Sequence, residues 1–269
     1  MLKEKYNVLI IGAGPAGLMA AQESVKPGLN IAILEKMDDL CIKLKLTGKG
    51  RCNITNNAPL DEFIKHFGRQ GRFLKHAFAQ FFNEDLIKHF EKLGVQFKLE
   101  RGGRYFPKSD SAFDVADALI KDVKSKGVSI LKNSEVVSVK KIDEKFEVKI
   151  KSGKTLETDQ VIISCGGKSY PRTGSSGDGY RLAKSLGHKI IEPKPSLTPL
   201  ITKGLAAKNL QGLSLKNVKA SLYFNNKKIA EEFGEMLLAD FGLTGPIILS
   251  LSKHAAPLLK EKKQLKVSI

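Results

Sequence analysis

The stretch Tyr6–Gly17, YNVLIIGAGPAG, decides the reading of this chain. An apolar run of strand type enters Gly12-x-Gly14-x-x-Gly17, and small and apolar residues of helical character follow. Each glycine has a physical task. Gly12 permits the tight turn, Gly14 lets the backbone approach a pyrophosphate, and Gly17 lets helix and strand pack closely. The helix N-terminus adds free N–H groups and a partial positive charge, worth roughly 0.3–2 kcal/mol toward an anion. Glycine-rich turns are common, so the triplet alone decides little. A second strand-like run, Asn30–Leu34, ends on Glu35, where a ribose hydroxyl needs an acceptor. Strand, turn, helix, strand and acid in one short unit predict a dinucleotide site.

The rest of the composition bounds that reading. At 269 residues, with 42% hydrophobic and 27% charged positions, the chain can bury one large or two modest cores and is not of disordered type. No apolar run approaches the roughly 20 residues that cross a bilayer. The first apolar run enters the glycine motif at once, which does not fit a signal peptide. Cys41, Cys52 and Cys165 are too widely spaced for a zinc pattern and too few for an even disulfide set, so a reducing cytoplasm is expected. The net charge of +17 points toward nucleic acid or another anionic surface. It comes from 38 lysines against 7 arginines, however, and most lysines are scattered singly. The densest run, Lys260–Lys266, is interrupted and holds no aromatic. Solvated faces account for the charge more simply than an RNA-binding stripe does, and nucleic acid is not the expected partner.

Further along, Thr47–Asn57 (TGKGRCNITNN) combines glycines with Lys49, Arg51 and amide side chains. It reads either as a polar loop or, following the ribose-binding strand so soon, as ligand contact. Residues 73–93 read as two amphipathic helices with Asn83 as a cap, and His76 and His89 as ordinary helix residues. Val95–Leu99 and Arg104–Pro107 form a hairpin around Gly102-Gly103. A helix over 112–126 carries an apolar stripe of Phe113, Ala116, Ile120 and Val123. From Val128 the period changes to two, with short strands at 128–131, 135–140, 145–150 and 155–158. Val161–Ser164 is a buried parallel strand that ends on Cys165-Gly166-Gly167 and returns to the first sheet after this meander. A second glycine-rich loop, 168–180, precedes a helix over 180–186. Its order, GxxGxG, is wrong for a second fingerprint, and Asp178 is either a cap or a ligand contact. Pro193, Pro195 and Pro199 mark a boundary, giving domains at 1–194 and 195–269. The second is strand-rich, with runs at 218–224, 228–231 and 235–239, a helix starting at Pro246, and a strand-like ending at 265–269 from which an incomplete domain is expected.

GAGPAG with an acid-ended second strand resembles the FAD-binding variant of the Rossmann motif. TGKGRCNITN at 47–56, GGRYFP at 102–107, GGKSYPRTGSSGDGY at 166–180, LQGLSLKNV at 210–218 and FGLTGPIIL at 241–249 narrow the likeness. Throughout its length the chain resembles the BaiN/RdsA-type flavoproteins, commonly labelled NAD(P)/FAD-dependent oxidoreductases or aminoacetone-oxidase-family enzymes. The resemblance implies an α/β fold: a Rossmann-like FAD-binding domain with a β-meander, then the start of a β-rich inserted domain. It implies that Gly12, Ala13, Gly14, Ala16 and Gly17 hold the FAD pyrophosphate, with Glu35 on the ribose and Lys36 beside it. Gly50, Arg51, Cys52 and Asn53 would line the flavin side, with Arg51 facing the charge of reduced flavin. Val136 or Val137 would bond adenine through the backbone. Cys165, Gly166 and Gly167 would cover the cofactor, with Thr173, Gly174 and Asp178 close by. The implied activity is hydride transfer between flavin and a small organic substrate, with NAD(P)H, where used, as a transient visitor without its own domain. No residue stands out as acid or base; Tyr105, Tyr170 and Cys52 are candidates. Two other readings are a basic flavoprotein acting on RNA and a cofactor-binding module without catalysis.

Overall fold

The computed structural model describes residues 5–261 and 264–269. Contacts divide the chain into two compact units, Met1–Ile190 and Ile191–Ile269.

The first unit opens with β1 (Lys5–Ile11), α1 (Pro15–Ser24) and β2 (Ile31–Leu34). Next come α2 (Ile42–Leu46), β3 (Thr55–Asn56), α3 (Leu60–Lys65), α4 (Lys75–Gln80), α5 (Asn83–Lys92), β4 (Phe97–Glu100) and β5 (Arg104–Pro107). The unit continues with α6 (Ala112–Ser125), β6 (Ser129–Leu131), β7 (Val136–Ile142), β8 (Lys145–Ile150), β9 (Thr155–Ile163) and α7 (Asp178–Ser185). Six strands form one sheet in the order β6-β2-β1-β9-β8-β7. The β6, β2, β1 and β9 strands run parallel, and the meander β7-β8 joins β9 antiparallel.

Periodicity explains why β1 is central. Successive side chains point to opposite faces. Val8 and Ile10 therefore enter one core with Leu18 and Ala21 of α1 and Leu119 and Val123 of α6. Leu9 and Ile11 enter another with Val139, Val148, Leu156 and Leu182. A strand buried on both faces needs the unbroken apolar run VLII, as parallel sheets generally do. The carboxyl ends of β1, β2, β6 and β9 thus bring Gly12, Glu35, Lys132 and Ser164 to one edge of the sheet.

Several local expectations change. The expected strands at 155–158 and 161–164 are one continuous β9, since Thr155–Thr158 pair with β8 while Glu157–Ile163 pair with β1. Phe113 lies off the buried stripe of α6 at 56% exposure; Ala116 and Val123 are buried as expected, together with Ala112, Val115 and Leu119. The hairpin β4-β5 gains a third strand, because Thr55 and Asn56 pair with Tyr105 and Arg104. Asn83 is the first residue of α5 rather than its cap: Phe82 holds the cap position and its amide donates to the Asp85 carboxylate at 2.9 Å, while Asn83 Oδ1 accepts from the Glu84 amide at 2.8 Å.

The second unit is a five-stranded antiparallel sheet covered on one face by a helix. Its elements are β10 (Leu200–Ile201), α8 (Ala206–Asn209), β11 (Ser214–Phe224), β12 (Lys227–Ala239), β13 (Gly242–Thr244), α9 (Pro246–Lys260) and β14 (Lys266–Ser268). The expected strands at 228–231 and 235–239 are one long β12, whose pairing with β11 shifts register at two irregularities. Asn225 and Asn226 turn with φ of 48° and 58°, the geometry that a two-residue hairpin loop asks of both central residues. Pro246 opens α9, whose Ile248, Leu251 and Ala255 pack on Ala220, Leu222 and Met236.

Candidate functional site

The glycine turn after β1 shows three glycines kept for different reasons. Gly12 has φ of 107°, and a Cβ there would lie 2.7 Å from the Ser164 carbonyl oxygen, where β1 and β9 end side by side. At Gly17 a Cβ would sit 1.9 Å from the Gly12 oxygen, so the first turn of α1 rests on the glycine turn itself. Gly14 differs: a Cβ there would meet nothing within 4 Å, and its backbone, at φ −77° and ψ 176°, is open to any residue. Protein packing therefore explains Gly12 and Gly17 but leaves Gly14 to whatever occupies the space before it.

That space is a cavity of about 500 Å³. Gly12, Gly14 and Ala16 line its floor, and Glu35 and Lys36 line the wall supplied by β2. Cys52 and Asn53, then Val136, reach it from the TGKGRCN segment and the start of β7. Cys165, Gly166, Thr173, Gly174 and Asp178 complete it from the far side of β9. Ala13, Gly17, Gly50, Arg51, Val137 and Gly167 are not among its lining residues. Ala13 is fully buried and structural: its amide donates to Glu35 and its carbonyl accepts from the Cys41 amide.

Glu35 already holds the site's backbone. Its Oε2 accepts from the Ala13 amide at 2.8 Å and its Oε1 from the Met37 amide at 2.9 Å. A carboxylate has about four acceptor positions, so each oxygen keeps acceptor capacity. Lys36 turns to Asp178, 2.6 Å away, and to the Ser176 hydroxyl at 2.6 Å. Asp178 is the first residue of α7 and makes no cap bond; Gly177 occupies the cap position with φ of 94°.

The Arg51 guanidinium is committed elsewhere. It donates to Asp110 at 2.7 Å and to Glu100, and stacks 4.1 Å from the Phe106 ring. This locks the TGKGRCN segment to the β4-β5 hairpin and takes the arginine's charge away from the cavity. Lys43 lines the cavity and reaches the Ser169 hydroxyl at 3.3 Å, with no carboxylate within 4 Å among the described residues. The Val136 and Val137 carbonyls accept from Arg181 of α7. No motif flagged Arg181, and its contact 44 positions back in sequence carries no local signal.

Burial governs the thiols. It pushes Cys41 up to about 12 and Cys165 up to about 11, and it raises Cys52 as well, favouring the neutral thiol in each case. Tyr170 is 60% exposed and Tyr105 packs against the core, so neither candidate acid is held over the cavity floor. Cavity walls also come from Leu86, Phe90 and Leu119, apolar helix residues that no motif singled out. Among the described residues no helix is long and apolar enough to cross a membrane.

The profile of the HI0933-like protein Rossmann domain matches residues 6–245. A 3-dehydro-bile acid Δ(4,6)-reductase of Clostridium scindens is 32% identical, over 97% of this chain and 63% of that protein. A ribosomal RNA dihydrouridine synthase of Escherichia coli is 28% identical, over 94% of this chain and 62% of that protein. The chain thus spans less than two thirds of the length of either relative. In fold it is similar to the open form of a flavocytochrome c3 fumarate reductase, with a TM-score of 0.56 and 20% identity over 80% of this chain and 47% of that one. With the glycine turn, the acid-ended β2 and the returning β9 in place, the chain belongs to the HI0933-like Rossmann-domain family, the flavoproteins that its motifs resemble.

Proposed function

We propose that this chain is the FAD-binding part of an oxidoreductase that reduces a carbon–carbon double bond conjugated to a carbonyl, with NAD(P)H as the transient reductant. The observation that carries the reading is Gly14, whose missing side chain no protein atom requires, facing a 500 Å³ cavity with Glu35 beside it. Bound FAD supplies reversible hydride chemistry. The chain's residues bind and orient it. The first-turn N–H groups of α1 lack intrahelical partners and meet the pyrophosphate. Glu35 accepts from the ribose, and the carboxyl end of β9 with the Gly166–Gly174 segment shields the cofactor from water. Lys43, which lines the cavity while Arg51 is ion-paired with Asp110 and Glu100, would be the cation available to offset the charge of a reduced flavin. The substrate class is supported by the two relatives' names: a 3-dehydro-Δ4 bile acid and the uracil that becomes dihydrouridine both present an alkene conjugated to a carbonyl.

The test is reconstitution. The purified chain, mixed with FAD and then reduced by light, is expected to show a bound flavin spectrum that reoxidises on anaerobic addition of a simple cyclic enone. A chain that gains no thermal stability from FAD at about 100 times a micromolar Kd, where about 2.7 kcal/mol is expected, contradicts the binding reading.

A second reading is favoured by the +17 charge together with the ribosomal RNA relative: the conjugated alkene is a uracil within RNA. Its mark is RNA affinity that falls steeply as salt rises. Weak, salt-insensitive binding removes it.

A further inference from the structure

Residues 57–82 make an excursion between two stretches that line the cavity, Cys52–Ile54 and Leu86–Phe90. Asn83 closes its base, donating through Nδ2 to the Asn56 carbonyl at 2.8 Å and to the Ala58 carbonyl at 3.3 Å. The excursion builds a small core of its own. Phe63, Phe78 and Phe82 meet at centroid distances of 5.1–5.5 Å, with Phe67 joining at 5.8 Å from Phe78. None of the four belongs to the main cores of the unit. Gly71 is packed so tightly that a Cβ would lie 2.2 Å from the Ile64 carbonyl oxygen, which fixes the turn that carries Phe73.

What this small core presents outward is unusual. Phe73 is 86% exposed, more than any other large apolar side chain among the described residues, and Phe67 is 48% exposed. Lys65, Arg72 and Lys75 are exposed around them. The excursion's two acids, Asp61 and Glu62, open α3; from Phe63 to Phe82 the sequence holds six phenylalanines and four cations and no further acid. A lipid-surface helix is a continuous amphipathic element. Here two six-residue helices, α3 and α4, flank a 3-10 turn at Gly68–Leu74, so no such face exists. Separated aromatic faces among cations are instead the features that bind single-stranded nucleic acid: bases stack on the rings while cations follow the phosphates.

We infer that the excursion 57–82 is a binding platform for single-stranded RNA, with bases stacking on Phe73 and Phe67 and phosphates following Lys65, Arg72 and Lys75. The inference rests on the RNA reading for its ligand and adds where on the chain that ligand lies. In sequence it lies between two stretches that line the cavity, Cys52–Ile54 and Leu86–Phe90.

The test measures fluorescence anisotropy of a labelled oligouridylate with the 269-residue chain and its variants. Phe73→Ala is expected to weaken binding by roughly 5- to 150-fold, the loss of one stacked base. Arg72→Gln with Lys75→Gln is expected to lower the slope of log K against log salt by about 1.4. Phe113→Ala, which removes an exposed ring from α6, is expected to change neither. If the chain binds RNA but Phe73→Ala and Phe113→Ala bind equally well, the platform is wrong while the RNA reading stands. If no variant binds RNA at low salt, both fall. If binding is seen only to phosphatidylserine vesicles and depends on Phe73, the surface is a membrane contact and the inference is overturned.

Discussion

Lys36 Nζ lies 2.6 Å from Asp178 Oδ2, a bond that ties the residue after Glu35 to the first residue of α7. Both side chains are about three-quarters buried, and Ser176 donates to the same carboxylate oxygen at 2.8 Å. Burial on its own would raise the Asp178 pKa, but the bonds from Lys36 and Ser176 outweigh it and hold the carboxyl below its ordinary value.

A depressed carboxyl stabilises the fold above its unfolded pKa of about 3.9, and that contribution is lost as pH falls through the folded value. Lys36→Met is therefore expected to cost about 1.5–3 kcal/mol in urea unfolding near neutral pH. The deficit should shrink as pH is lowered through the acid range. A deficit that stays constant down to about pH 2.5 would show that the pair contributes packing rather than charge.

The three glycines of the turn separate fold from ligand. Gly14→Ala is expected to leave the thermal midpoint of the free chain unchanged, since the position is open, but to remove most of the stabilisation that FAD confers. Gly17→Ala drives a methyl onto the Gly12 carbonyl and is expected to destabilise the free chain by about 1–3 kcal/mol or more. Thermal shifts of both variants with and without FAD check this. Equal behaviour of the two would contradict the division.

These glycines were legible in sequence because their task is local: strand, turn and helix lie within twelve residues. The alternation that puts Val8 and Leu9 on opposite faces was legible for the same reason. What escaped depends on distant partners. The TGKGRCN motif named Arg51, but the acids that capture it lie 49 and 59 positions onward, and no local pattern reports them. Phe113 satisfies helical spacing as well as Ala112 does, and only the position of the sheet decides which is buried. β9 looked like two strands because Asp159 and Gln160 interrupt its apolar pattern at the point where it leaves the meander's core for the centre of the sheet. Residues 73–82 read as part of an ordinary amphipathic helix pair, and nothing local marked Phe63; that Phe63, Phe78 and Phe82 pack on one another shows only in three dimensions.

The buried thiols set an alkaline limit. Folding raises the pKa of Cys41 to about 12 and of Cys165 to about 11, above the roughly 8.5 of an unfolded thiol. A raised folded pKa gives stability that is full below the unfolded value and is lost as pH climbs toward the folded one. Urea midpoints are expected to hold steady to about pH 8.5 and then decline, by up to about 1.4 kcal/mol per pH unit for each thiol. Cys165→Ala should flatten part of that decline. In the native chain a thiol reagent near pH 8 should react with Cys41 only on the timescale of unfolding, and immediate labelling would contradict its burial.

Glu35 carries the sharpest test because it serves the fold and the ligand together. Glu35→Ala removes the acceptor of the Ala13 and Met37 amides as well as the ribose acceptor. It is expected to cost about 1–3 kcal/mol of stability and a similar amount of FAD affinity. Loss of affinity alone cannot separate the two effects, since a loosened glycine turn also binds phosphate poorly. Glu35→Gln separates them. The amide keeps one oxygen acceptor but presents N–H donors toward the second backbone amide, so the turn is partly held while the negative charge is gone. If Glu35 bonds the ribose, adenosine diphosphate, which carries the same ribose and pyrophosphate, should lose affinity in parallel with FAD in both variants, as read by calorimetry well below the unfolding transition. A Glu35→Gln chain that unfolds earlier but binds both ligands at full strength would assign the residue to the turn alone.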